Sequence, residues 1–595
     1  MVRTILIALL SIAITSSTHA FPNPPQSFHP GGPPSFHPGS PTSHHPGGPA
    51  YPRPGGPPSY HPRPPPYQPR PDDCVVTTTS GSLQPLVEPD FPDVDQFLGI
   101  PFAQSPLRDL RFAPPQTYKP TGNQIFQATT LPPGCPQIVH QQPVTIFDVY
   151  EPGLNFYGPT SEDCLKLNVY RPRKPSSEPL PVLIFVYGGG FVSGAANKTF
   201  SIPTPWVQEK QNLIVVAIQY RLGIYGFPNS AALAENNVGL EDIRFAVQWV
   251  KENVAAFGGD VDRMTLMRVS KHGQQMYETD LSRGHSAGSI ATNAYTFAYR
   301  DDMIVNSIIS MSGTVLTPNA GWQSRDYTHS NFTSVAHLLG CEGSDEALLT
   351  CMRSKSASSI SEIVFNNNTG VTFLPLPDDK LVFANYSELL MNGQFSKLTQ
   401  PAIIGSSRGE GFRSLDKNLN PDGPNATEAN AYTVASFLCP SQLVSKFRQT
   451  ADVPTYRYEF KGNFTNISPL PWMGAYHESP LPYLFGQSGN VVGHPRTGAS
   501  TPFELEFSSY MQDLWQAFIA DPNSLEEQWN WPLYEGGLPD ESTDAVKLLL
   551  GRGDGFTVSS LEYGAEREEY CAKVDPYLIT QTLPPGLANN AGNLD

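Results

Sequence analysis

The sequence predicts an α/β fold: a mostly parallel central sheet with helices on both faces and long loop insertions. Three observations carry that expectation. Residues 181–187 (PVLIFVY) and 213–218 (LIVVAI) are continuous apolar runs without alternation, the pattern of strands covered on both faces. After them, residues 240–254 place Ile243, Ala246, Val247, Val250 and Val254 along one helical face. Buried strands alternating with such helices build a parallel sheet flanked on both sides. At 595 residues the chain is longer than one ordinary domain, and the excess belongs in insertions.

In chain order, residues 1–20 read as a secretory signal peptide. Arg3 supplies the positive start, residues 5–14 the apolar core, and Thr18-His19-Ala20 a small-residue cleavage site. That core is shorter than the roughly 20 apolar residues that cross a bilayer. Secretion without a transmembrane anchor is therefore expected, and seven N-x-S/T sites fit it: Asn197, Asn331, Asn367, Asn385, Asn425, Asn463 and Asn466.

Residues 21–72 repeat variants of S-F-H-P-G-G-P and are expected to be a disordered or partly polyproline II spacer. Their first 51 residues hold 20 of the 61 prolines, five histidines and three arginines, so no hydrogen-bonded ladder can form. The remainder, 73–595, has globular composition. With 38 Lys and Arg against 55 Asp and Glu the net charge is −17, and without a basic patch a nucleic-acid partner is excluded.

Two motifs bring chemistry to the predicted sheet. The run 181–187 ends in Gly188-Gly189-Gly190-Phe191. Consecutive glycines let bare backbone approach a reacting group and aim N–H donors at it, as an oxyanion hole requires. Further on, Gly284-His285-Ser286-Ala287-Gly288 reads G-x-S-x-G and precedes an apolar helical run at Ile290, Ala291, Ala294 and Phe297. In a nucleophile elbow the glycines give room to a serine held on a strained strand-to-helix turn. His285 fills the variable place and reads as structural.

With these motifs in hand, the chain resembles the type-B carboxylesterase/lipase family of the α/β-hydrolase fold, and in particular its secreted fungal carboxylesterases. The resemblance runs from about Cys74 to Cys571. It includes LGIPFA at 98–103, EDCLKLNV at 162–169, YGGGF at 187–191, NVGLEDIR at 237–244, FGGD at 257–260 and GHSAG at 284–288. Tyr187 stands where the family usually has histidine; its hydroxyl can hold the oxyanion loop by a hydrogen bond instead.

A serine needs a histidine to accept its proton and a carboxylate to orient that histidine. The resemblance implies the order Ser, acid, His. Of His329, His337, His477 and His494 downstream of Ser286, His477 lies in GAYHESPLPYLFG, which matches the family's histidine loop. His329 and His337 read as satisfied histidines of a polar segment and a surface helix. Between serine and histidine, Glu410 follows the short apolar run 401–405 in a glycine-rich turn similar to the family's acid turn. The amides of Gly188, Gly189 and Ala287 are then the oxyanion donors. Ser312 is similar to a buried serine that hydrogen-bonds the acid.

Of seven cysteines, Cys135–Cys164 and Cys341–Cys351 match disulfides of the family, and Cys74, Cys439 and Cys571 stay open. The expected activity is hydrolysis of small-molecule or lipid carboxylic esters, with no cofactor and no metal. The alternatives are a non-catalytic binding or adhesion protein on the same fold, or a form inactivated by the insertion described next.

One stretch departs from the family. The run 263–267 should enter the elbow within a residue or two, yet the polar 268–283 (RVSKHGQQMYETDLSR) intervenes and carries neither period. Val269-Ser270 can be encoded by GTAAGT, the usual splice-donor word, and sixteen codons match a short fungal intron. The expectation is an intron retained in the translated sequence; a surface loop is the alternative. Reads across this junction in mature transcripts should be spliced, and peptides from 269–282 in the secreted protein would sink the idea.

Overall fold

The structure, a computed structural model, describes residues 75–571 except 123, 140–144, 175, 270–286, 318–322, 367–369, 397–399, 417–418, 489–498, 536–545, 552–556 and 564–570. The signal peptide, the spacer, Cys74, most of the 268–283 stretch and Ser286 lie outside the described residues.

Two sheets are built from thirteen described strands. β1 (Val76–Thr78), β2 (Gly81–Pro85) and β4 (Phe126–Ala128) form a small one. The large one uses β3 (Val94–Pro101), β5 (Lys166–Pro172), β6 (Leu180–Val186), β7 (Ile214–Ile218), β8 (Gly259–Val269), β9 (Ser307–Met311), β10 (Ala402–Ser407), β11 (Thr455–Phe460), β12 (Val546–Leu550) and β13 (Ser559–Tyr563). Its order is β13-β12-β11-β10-β9-β8-β6-β7-β5-β3. Neighbours from β7 to β12 are parallel, while β3, β5 and β13 join antiparallel at the edges. This is the expected sheet, and the apolar runs are its centre. All of β7 is buried, as is β6 except Leu180.

The chain leaves β6 for β7 on one side and returns to β8 on the other. That reversal opens a crevice at the carboxyl ends of β6 and β8, where open α/β sheets place ligands. β8 runs past the expected end at Met267: Arg268 pairs with Val186 and Ser310, and Val269 with Met311. The first two residues of the anomalous stretch are thus strand, because both neighbouring strands still offer backbone partners at that height. The helix Ala287–Ala298 starts where the elbow motif requires and buries Ile290, Ala291, Ala294 and Phe297.

Several resemblance motifs have visible structural reasons. Asn168 Oδ1 accepts from the Gly99 amide at 2.9 Å, and Gly99 (φ 72) has no room for a side chain because a Cβ would lie 2.9 Å from the Thr130 carbonyl. Glu162 takes a two-pronged bond from Arg111 at 2.6 and 2.7 Å. Asp242, on the helix Val238–Asn253, does the same for Arg221 at 2.8 and 2.7 Å, with both side chains buried. The pairs Cys135–Cys164 and Cys341–Cys351 are bonded as expected, and a third disulfide, Cys439–Cys571, resolves two of the open cysteines.

The sequons sort by exposure. Asn385, Asn425 and Asn463 are exposed. Asn466 is buried, its amide donating to Ser500 Oγ at 2.9 Å while its carbonyl accepts from Tyr483 at 2.7 Å. A glycan does not fit there. Among the described residues no helix is long and apolar enough to cross a membrane.

Removing one member of a buried ion pair strands the other, which costs about 3–5 kcal/mol. Asp242→Asn should therefore lower the urea midpoint of unfolding by that much stability; an unchanged midpoint would remove this pair from the scaffold.

Candidate active site

The candidate residues lie just after strands at the carboxyl edge of the large sheet. After β6 the chain enters Tyr187-Gly188-Gly189-Gly190. Gly189 and Gly190 have φ of 149° and 61°, and a Cβ on Gly189 would sit 1.6 Å from the Ser193 carbonyl oxygen. The loop folds back on itself, with the Val192 and Ser193 amides donating to Gly189 O at 3.0 and 2.9 Å. Only glycine allows that approach.

Tyr187 holds this loop as its hydroxyl allows. It donates to Tyr220 O at 2.8 Å, the Tyr220 hydroxyl donates back to Tyr187 O at 3.3 Å, and the rings stack at 4.7 Å. Gln137 clamps the far end, accepting from Gly194 N and donating to Gly194 O, both at 2.7 Å. Gln137 lies two residues beyond Cys135, so the Cys135–Cys164 disulfide anchors the clamp as well. Nothing in the sequence alone pointed to Tyr220 or Gln137, since both act through distant backbone.

β8 leads toward the helix that begins at Ala287, whose amide is among the first of that helix and lacks an intrahelical acceptor. The helix start is seated by the Ser289 hydroxyl, which donates to Gly313 O at 2.6 Å, and by Asn293, which accepts from Val315 N at 3.1 Å.

The loops after β10 and β11 bring Glu410 and His477 together. Glu410 opens the helix Glu410–Leu415 and is fully buried; its Oε1 accepts from the Ser407 amide at 2.6 Å, and its Oε2 meets His477 Nδ1. The loops are stitched to each other: Gly409 N donates to Ala475 O at 2.8 Å and Arg408 N to Phe460 O at 2.9 Å. Phe437, in a π-helical turn over Val434–Leu438, packs its ring 5.4 Å from the imidazole. Such turns cluster at functional sites. Phe437 was not legible from sequence, because one residue's contact with a remote loop leaves no periodic trace.

Burial raises the phenols of Tyr432 and Tyr458 above their usual range, and the nearby Glu410 charge adds to it. The tyrosines around the acid therefore stay neutral and do not compete for its charge.

Ser312 is buried at φ 63° and its amide donates to Gly405 O at 2.7 Å; among the described residues its hydroxyl makes no hydrogen bond to Glu410. His329 is bonded through Nδ1 to Asn229 Oδ1 at 2.8 Å, and His337 is exposed on the helix Ser330–Leu338. His285 and His494 lie outside the described residues. No group of three His, Cys, Asp or Glu side chains suited to a metal occurs among the described residues.

The mostly parallel sheet, with the candidate residues at its carboxyl edge, has the architecture of an α/β-hydrolase. Comparison with known proteins sharpens that class. Matches to the carboxylesterase family cover residues 72–436 and 424–550, so the chain belongs to that family and is a carboxylic ester hydrolase. It is 37% identical over 519 residues to the chlorogenic acid esterase of Aspergillus niger, covering 84% of this chain and 94% of that protein. It is 34% identical over 512 residues to secreted lipase 5 of Gibberella zeae, covering 80% and 90%. The pyrethroid hydrolase Ces2a of Mus musculus is 30% identical over 452 residues, covering 71% and 75%.

The hydroxyl of Tyr187 ties the glycine loop to the strand end at Tyr220. Tyr187→Phe keeps the stacked ring but loses the bond to Tyr220 O, a net loss of about 0.5–1.5 kcal/mol. In steady-state kinetics kcat/KM should fall by up to about tenfold, and full activity in the variant would show that stacking alone holds the loop.

Proposed function

We propose that the protein is a secreted serine esterase whose nucleophile is Ser286, with His477 as the base and Glu410 as the carboxylate that orients it. The observation that carries this reading is the buried contact between Glu410 Oε2 and His477 Nδ1, at the sheet edge that also bears the glycine loop and the helix beginning at Ala287. With Nδ1 turned to the carboxylate, Nε2 is the nitrogen left to face the nucleophile.

In this mechanism Ser286 Oγ attacks the ester carbonyl as His477 takes its proton. The amides of Gly188, Gly189 and Ala287 hold the oxyanion of the tetrahedral intermediate. His477 then protonates the leaving alcohol. Water, deprotonated by the same imidazole, attacks the acyl-enzyme; the Ser286 Oγ–carbonyl bond then breaks, Oγ takes that proton back from His477, and the acid is released. Glu410 keeps the imidazole in the productive tautomer and stabilises its charged form.

For the substrate, the relatives suggest an ester such as chlorogenic acid, for which the Aspergillus niger esterase is named, or a lipid ester, since the Gibberella zeae relative is named a lipase. Secretion is supported by the signal-like residues 1–20 and by the secreted relative. The form that performs this chemistry is proposed to lack 268–283, since all but the first two of those residues stand in the sequence between the end of β8 and Ser286.

A fluorophosphonate probe tests the reading on the chain with and without 268–283. Labelling and ester hydrolysis are expected in the shortened form and absent in Ser286→Ala. Glu410→Gln should lower kcat about 10⁴-fold. Hydrolysis that survives Ser286→Ala would overturn the assignment.

A further inference from the structure

Glu478, the residue after His477, has an unusual setting. Its backbone is left-handed at φ 71°, a conformation that L side chains rarely adopt, and its side chain is fully buried. Oε1 accepts from Lys198 Nζ at 2.8 Å, and Oε2 lies 3.6 Å from Arg413 Nη2. The exposed fraction of the three side chains is 1% or less for Lys198 and Glu478 and 5% for Arg413. Lys198 follows the glycine loop in the chain, and Arg413 sits on the helix that Glu410 opens. Three separate segments of the site thus meet at one carboxylate.

We infer that Glu478 is a positioning residue: its buried ion pairs with Lys198 and Arg413 lock the histidine loop to the glycine loop and to the acid's helix, and so set the reach of His477. The inference rests on the triad proposed above. Net stability is a poor reason for such a cluster, because desolvating three charges cancels most of their attraction and apolar replacements often serve as well. What charge adds is direction. Lys198 holds Oε1 by a charged hydrogen bond, Arg413 attracts Oε2 from 3.6 Å without bonding it, and the left-handed turn passes that restraint to the neighbouring imidazole.

The surroundings are charged on every side. Glu151 is buried with neither carboxylate oxygen hydrogen-bonded among the described residues, and burial holds its carboxyl well above the usual range while Arg413 pulls it down. Burial lowers the Lys198 ammonium, and Glu478 pulls it back up. Arg413 also reaches Asn155, which is bonded to Asp148 at 2.7 Å. Glu410 and the neutral Tyr476 complete the set around His477.

Glu478→Gln leaves Lys198 and Arg413 uncompensated and loosens the histidine loop, so kcat should fall while KM stays near the parent's. The double variant Lys198→Met with Glu478→Met replaces the pair by apolar bulk, which guards against misfolding. It should melt as a folded protein, with kcat reduced about 10²-fold and KM near the parent's, the scale of a small misplacement of a catalytic group. Each is measured in the form of the chain that the fluorophosphonate labels at Ser286. Parent-like kcat in the folded double variant would overturn the positioning role. Activity persisting in Ser286→Ala would instead overturn the triad on which it rests.

Discussion

A fully buried carboxylate must be surrounded by donors, and Glu410 imposes that demand on the whole carboxyl edge. Its donors come from two strands. Ser407, the last residue of β10, supplies an amide, and the loop after β11 supplies His477. Both arrive only if the two strands end at the same height. The parallel register pairs Ser407 with Phe460, the last residue of each, and the bonds from Arg408 to Phe460 and from Gly409 to Ala475 carry it into the loops. The contact therefore depends on strand register more than on either loop.

On the other side of the crevice the constraint is steric. The glycine loop folds so tightly that its carbonyls occupy the space a side chain would need. A backbone without side chains has nothing of its own to stiffen it, and stiffness is borrowed from the Tyr187–Tyr220 pair and from Gln137. Oxyanion donors stabilise a transition state to the extent that they are already in place, so in the proposed mechanism these supports act on catalysis without touching substrate.

Much of this was legible in the sequence for a physical reason. Buried parallel strands have no alternation, so β6 and β7 announced themselves, and glycines that no other residue can replace marked the loop after β6. Glu410 and His477 were found through their place in an ordered set of motifs. Alone, a glutamate in a glycine turn and a histidine among prolines carry no such signal. The length of β8 was misjudged because Arg268 and Val269 belong to a polar stretch, while strand pairing is set by the backbone of neighbours. Phe437 and the Cys439–Cys571 link were illegible, since a contact between elements far apart in the chain leaves no local pattern.

Sequence by itself determined the sheet, the order of the candidate groups and their chemical types, because periodicity and glycine placement are local properties. Tertiary structure alone decided which groups meet. It brought Glu410 to His477 through strand register, gave Tyr187 a carbonyl partner in Tyr220, and gathered Lys198, Arg413 and Glu478 into one buried cluster. Those choices depend on how separate strand ends converge, and a linear pattern does not encode the distance between them.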